Sequence, residues 1–109
     1  MNAGALRHRI TIDELVITQD SDTGAVEETW AEFCSVWAAI IPLSGREFVA
    51  ASAIQDSVNT RITIRWREGI LPEMRVHHAG AIYNIKAVLP DPTFRRHINL
   101  MCETGANDG

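Results

Sequence analysis

The chain has little of what usually carries chemistry. Its two cysteines, Cys34 and Cys102, stand far apart and outside any CxxC spacing, which excludes a zinc ribbon and a thioredoxin-like redox pair. Both lie beside apolar residues in strand-like stretches and read as reduced, mostly buried thiols. Whether they pair is not decided by sequence. Four histidines are present without HxH or HExxH spacing. His77 and His78 are adjacent, so on a strand they point to opposite faces and cannot share a metal. There is no GxSxG and no glycine-rich phosphate loop. No apolar run approaches the ~20 residues of a membrane helix, and no apolar block near Met1 resembles a secretory signal, so a cytoplasmic location is expected. No catalytic residue, cofactor, metal or membrane contact is expected.

What is there suits a folded domain. The 109 residues are 46% hydrophobic and 22% charged, enough for one domain with its own core. The formal charge of −4 is unevenly spread. Residues 1–56 hold three arginines against nine acidic residues, whereas 57–109 hold seven basic against five acidic. An acidic half and a mildly basic half can orient copies head to tail.

The strongest local punctuation is VWAAIIPLSGREFVAASA, Val36 to Ala53. Val36, Trp37 and Ile40 favour a strand, and Pro42 lacks the donor that continued pairing needs. Ser44-Gly45-Arg46-Glu47 fits a capping box, with Leu43 and Phe48 at the positions of a hydrophobic staple. The pattern predicts one helix over about 45–55, with Phe48, Ala51 and Ala53 or Ile54 on its core stripe. An anion at this helix start is disfavoured, because Glu47 already offers a carboxylate there.

Elsewhere the period is two. In Arg7 to Thr18, Ile10 and Ile12 alternate with Arg9, Thr11 and Asp13, with an extension past a bulge or bend at Leu15. Gln19 to Glu27 crowds Asp20, Asp22, Thr23 and Gly24 into a hairpin tip; the distal glutamate of a calcium loop is not in place. Glu27 to Trp30 and Cys34 to Ile41 read as two strands joined by an irregular link. Thr60 to Arg67 is the clearest strand, with Ile62, Ile64 and Trp66 inward and Arg61, Thr63, Arg65 and Arg67 outward. Met74 to His78 and Ile82 to Val88 flank a hairpin turn at Ala79-Gly80. Arg96 to Glu103 alternates again. The ends, 1–6 and 104–109, read as flexible tails. Together these predict a mainly β protein: a small antiparallel β-barrel of six or seven strands with one inserted α-helix.

The outward arginines Arg61, Arg65 and Arg67 suggest an alternative function, a small nucleic-acid-binding β-barrel that uses an arginine-lined strand face. Against it stand the acidic total and the lack of an interleaved aromatic stripe, Trp66 being placed inward.

Taken in order, RHRITI, Asp22-Thr23-Gly24, Thr29-Trp30, VWAAIIPLSGREF, TRITIRWREGILPEMRV and Tyr83-Asn84-Ile85 resemble the head–tail joining, or head closure, proteins of long-tailed bacteriophages and prophages. The resemblance runs from about Leu6 to Cys102, with His77-His78 as the unusual spot. It implies one head–tail connector domain over 1–109, a non-enzymatic virion protein at the phage neck. There it would dock beneath the portal and its adaptor ring, close the DNA-filled head and give the tail its attachment surface. Implied partners are other copies of itself in a ring, portal and adaptor proteins, tail completion or terminator proteins, and packaged DNA. The free protein is expected as a monomer, present in the bacterial host cytoplasm during assembly and then in the virion neck. Under this resemblance the candidate channel or neighbour-contact segment is Ser44, Arg46, Glu47, Ala51, Gln55, Asp56 and Asn59. The candidate docking hairpin is Asp20, Asp22, Thr23 and Gly24.

Overall fold

The computed structural model describes residues 6–46, 49, 57–90 and 96–104. Six antiparallel strands close into a barrel in the order β1-β2-β3-β6-β5-β4. They are β1 (His8–Gln19), β2 (Val26–Pro42), β3 (Thr60–Arg65), β4 (Arg75–His78), β5 (Ala81–Pro90) and β6 (His97–Thr104). The expected barrel is present with the lower of the two strand counts.

Alternation explains why these segments close. Even-numbered residues of β1, β3 and β6 point inward, and Ile10, Ile12, Ile62, Ile64, Leu100 and Cys102 are almost fully buried. With Ala38, Val76 and Ile85 they form one core cluster. The interior of so small a barrel is filled by side chains, so it is a solid body and not a tube.

Several expectations change. The irregular link in Glu28 to Ile41 is a single continuous strand of 17 residues. Ile12 pairs with Cys34 while Asp13 pairs with Glu32, which leaves Phe33 as a one-residue bulge. The mixed spacing of Trp30, Phe33 and Trp37 thus reflects an extra residue in a strand, where a bulge shifts the face parity. β3 ends at Arg65, two residues early. Thr63 is on the outer face as expected, but buried there, between Ala39 and Asn99 in register; its Oγ1 donates to Asn99 Oδ1 at 2.7 Å. The terminal segments are also firmer at their inner ends than expected. Leu6 is buried, and Thr104 pairs with Tyr83 at the end of β6.

Most of the helix expected over 45–55 lies outside the described residues. At its start Gly45, with a φ of 52°, and Arg46 are helical, as is Val49 further on. Glu47, on which the capping box read at Ser44 to Glu47 depends, lies outside the described residues. Pro42 does end β2, opposite Thr60.

The β2–β3 connection leaves and returns at one place. The Leu43 amide donates to the Asn59 carbonyl at 2.9 Å, and the Asn59 amide donates to the Cys102 carbonyl at 2.9 Å. Val58 and Met101, with Leu43 and Ala87, make a second small apolar cluster separate from the main core.

The other decisive feature is a two-stranded arm. β4 pairs with β1 only at Thr11 to Asp13, and β3 pairs with β2 only from Ala38 to Pro42. Beyond those residues β1 and β2 have, among the described residues, only each other as strand partners, out to Gln19 opposite Val26. The molecule is accordingly long, 51 × 27 × 27 Å.

Candidate functional site

The arm is built from sequence that could not lie in a core. Between Glu14 and Glu32 it carries six carboxylates, Glu14, Asp20, Asp22, Glu27, Glu28 and Glu32, and no lysine, arginine or histidine. Cross-strand pairing puts Leu15 opposite Trp30 and Ile17 opposite Glu28, with Val26 beyond them on the same face. Leu15, Ile17 and Val26 are exposed. One face of the arm is thus an apolar stripe edged by acid.

The tip is a well-made turn. The Gly24 amide donates to the Asp20 carbonyl at 2.8 Å, and the Asp20 amide donates to the Ala25 carbonyl at 2.8 Å. Asp20 Oδ1 accepts from the Asp22 amide and Thr23 Oγ1 from the Ala25 amide. Gly24 takes a φ of 75°, the left-handed value for which glycine is suited. The four candidate docking residues Asp20, Asp22, Thr23 and Gly24 are therefore together, exposed and held in one turn.

At the root of the arm is a charged cluster. The Asp13 carboxylate lies 3.7 Å from Arg75 Nε and 3.4 Å from His77 Nδ1. Asp13 and Arg75 are both buried. Among the described residues Arg75 Nε has no hydrogen-bond partner, so at this distance its contact with Asp13 is ionic.

The arginine face is regrouped by the barrel. Arg61 sits opposite Ile41 and Met101, half-buried, about 13 Å along β3 from Arg65. Arg65 and Arg67 instead join Arg9 around an open depression lined also by Ser35, Val36, Trp37 and Trp66. Arg9 pairs in register with Trp37, and its guanidinium lies 5.6 Å from the Trp37 ring centroid. Arg9 Nε also donates to Ser35 Oγ at 3.2 Å. Arg67 lies 5.5 Å from the Phe33 ring centroid. Trp37 is half exposed, at 52%. Among the described residues no ion pair joins Arg9, Arg65 or Arg67 to a carboxylate.

This corrects the expectation that no aromatic residue interleaves with the arginines. Trp66 packs against the core and also lines the depression, and Trp37 was overlooked. Its signal was present: Val36, Ala38 and Ile40 alternate inward, which places Trp37 outward. Its proximity to Arg9 and Arg65 came only with strand pairing.

The other expected residues divide. Ser44 and Arg46 are exposed at the start of the β2–β3 connection. Glu47, Ala51, Gln55 and Asp56 lie outside the described residues. Asn59 is half-buried and fastened: its Nδ2 donates to the Thr104 carbonyl at 3.1 Å, while its Oδ1 accepts from the Thr104 amide at 3.1 Å and from Thr60 Oγ1 at 3.0 Å. Among the described residues no group of three or more His, Cys, Asp or Glu side chains could hold a metal. His8 and His78 meet edge to face with centroids 4.9 Å apart. Cys34 and Cys102 are both free and buried. Burial pushes the Cys102 thiol up to about 12. Burial also raises Cys34, opposed by the nearby Arg67 charge and assisted by Glu32.

A closed, solid barrel with a projecting acidic arm and a separate cationic, aromatic depression defines a protein that presents surfaces to partners. The chain belongs to the phage head completion protein family, whose model matches residues 1–105. It is a structural protein of the phage particle and not an enzyme. The solution structure of a protein from Shigella flexneri 2a is similar at 35% identity, covering 99% of this chain and 100% of that one, with a TM-score of 0.83. A chain in the virion of a native gene transfer agent particle shares the fold at 18% identity, covering 94% of this chain and 97% of that one, with a TM-score of 0.63. No curated protein matches the chain.

Proposed function

We propose that the protein acts as one connector domain at the phage neck. It docks beneath the portal and adaptor ring, closes the DNA-filled head and offers the surface to which tail completion or terminator proteins bind. It is made in the host cytoplasm and ends in the virion neck. The observation that carries this reading is membership of the head completion family over 1–105. The packed barrel adds a constraint. Its core is filled by Ile10, Ile12, Ile62, Ile64 and Leu100, so DNA has to pass between copies rather than through one. A channel then requires a ring of copies, which arises from contacts between two different surfaces of the subunit. Weak individual contacts would leave the free protein monomeric until a platform raises its effective concentration. The segment from Ser44 to Asn59 is the candidate to project into the channel or clasp a neighbour, and the tip Asp20 to Gly24 the candidate docking hairpin.

Electron microscopy of particles from a lysogen lacking the gene, with a complemented control, tests the reading. Heads that have packaged and lost DNA, beside free finished tails, are expected. Normal tailed particles would overturn it.

A further inference from the structure

We propose that copies of this chain join head to tail by seating the acidic β1–β2 arm of one copy in the Arg9, Trp37, Arg65 and Arg67 depression of the next. The proposal rests on the reading that the protein works as a ring, and it names the two surfaces that build it.

Three observations support the pairing. First, the surfaces are complementary in charge and in apolar character. The arm has six carboxylates and no basic residue, with Leu15, Ile17 and Val26 exposed. The depression is lined by Arg9, Arg65 and Arg67 and by the exposed Trp37, whose ring lies under the Arg9 guanidinium. Opposed charges steer and fix the register of such contacts, and a partly exposed tryptophan flanked by arginines is the kind of anchor on which interfaces concentrate their energy.

Second, a copy cannot satisfy itself. Arg9 lies near the start of β1 and Gln19 at its far end. Ten residues of extended strand separate them by about 33 Å, and the β1–β2 ladder continues to Gln19. The arm therefore points away from its own depression, and only another molecule can bring the two together.

Third, the arm is incomplete as it stands. A two-stranded ribbon is marginal alone in water. Beyond Asp13 and before Ala38 its outer edges have no further strand among the described residues. A neighbour would cover the stripe of Leu15, Ile17 and Val26. Because donor and acceptor surfaces differ, each added copy leaves one of each exposed, so the contact propagates until a rotation closes it.

The test uses the full chain with two charge-reversal variants at exposed positions. The groove variant is Arg65→Glu with Arg67→Glu, and the arm variant is Glu27→Lys with Glu28→Lys. Sedimentation velocity at millimolar protein and low ionic strength reads association, and amide NMR spectra check that each variant keeps the fold. Wild type is expected to self-associate in a salt-sensitive way. Each variant alone should associate ~10-fold or more weakly. An equimolar mixture should regain association, since an intact arm and an intact groove can then meet. Wild type that stays monomeric under these conditions, or a mixture that does so, overturns the proposal. So does a single-stranded oligonucleotide that binds wild type but not the groove variant while the mixture stays monomeric, which would assign the depression to nucleic acid. Particle morphology separates the two readings: emptied, tailless heads from the gene deletion together with a non-associating mixture would remove this contact and leave the neck role standing.

Discussion

The guanidinium carbon of Arg75 lies 4.1 Å from the centroid of the Trp30 ring, and this contact joins the arm to the barrel. Trp30 sits on β2 opposite Leu15, in the part of the arm where no other strand pairs among the described residues. Arg75 begins β4 and is itself paired with Asp13 across the β1–β4 ladder. A desolvated cation over a tryptophan face is worth up to about 2 kcal/mol.

Trp30→Ala should therefore loosen the arm more than the barrel. We expect a loss of about 2 kcal/mol in urea denaturation, with faster amide exchange concentrated between residues 14 and 31. Unchanged exchange in the arm would show that its root is held by something else.

Arg75→Ala should be worse than the loss of one stacking contact, because it leaves the Asp13 carboxylate buried without its cation. Breaking a buried pair costs about 3–5 kcal/mol. The double variant with Asp13→Asn should recover part of that loss. A double variant no more stable than Arg75→Ala would show that the Asp13–Arg75 attraction is not what stabilises the site.

The two thiols should resist modification in the native state. Cys102 has its ionisation pushed up to about 12 by burial. Above the ordinary value of 9.0 the unfolded chain releases this proton and the folded chain keeps it. The stabilisation is complete below pH 9 and falls as pH rises from 9 towards 12. An aromatic disulfide reagent at pH 8 should label Cys102 only on unfolding. Rapid labelling with the fold intact would contradict its burial.

Ala79 and Gly80 have φ values of 51° and 85°, the pattern of a type I′ hairpin turn between β4 and β5. Alanine is strained there, whereas Asn-Gly suits both positions. Ala79→Asn is expected to stabilise the protein by about 0.5–1 kcal/mol, seen as a higher thermal midpoint.

Gly69 has a φ of 95°, and a Cβ there would stand 2.9 Å from the Phe33 ring. Phe33 is the bulged residue of β2, and its ring also carries the Arg67 contact. Gly69→Ala should cost about 1–3 kcal/mol and shift the Arg67 and Trp37 side-chain resonances. A neutral effect on both readouts would show that the loop relaxes freely.

Much of the barrel was legible because its signals are local. The alternation at Ile10 and Ile12, and at Ile62 and Ile64, is a property of neighbouring residues, and so are the turn residues Asp22 to Gly24 and Ala79-Gly80. The bulge at Phe33 was misread as a break, because one inserted residue mimics helical spacing over a short window. Thr63 points outward as its alternation implies, but its burial was not legible, because its cover comes from strands distant in the chain. Of the candidate site, the acidic tip was legible as a cluster within five residues. The arginine face was only partly so: Arg65 and Arg67 belong together, while Arg61 lies apart and Arg9 and Trp37 replace it.

By itself the sequence determined which side chains face inward along each strand, where the chain turns, and that acid is concentrated in its first half, since each depends on residues adjacent in the chain. Only the tertiary structure decided that β1 and β2 outrun their neighbours to form an arm, and that Arg9, Trp37 and Arg65 lie side by side on three strands. Those facts follow from the register between segments tens of residues apart, which is set by the joint closure and packing of six strands and by no single stretch of the chain.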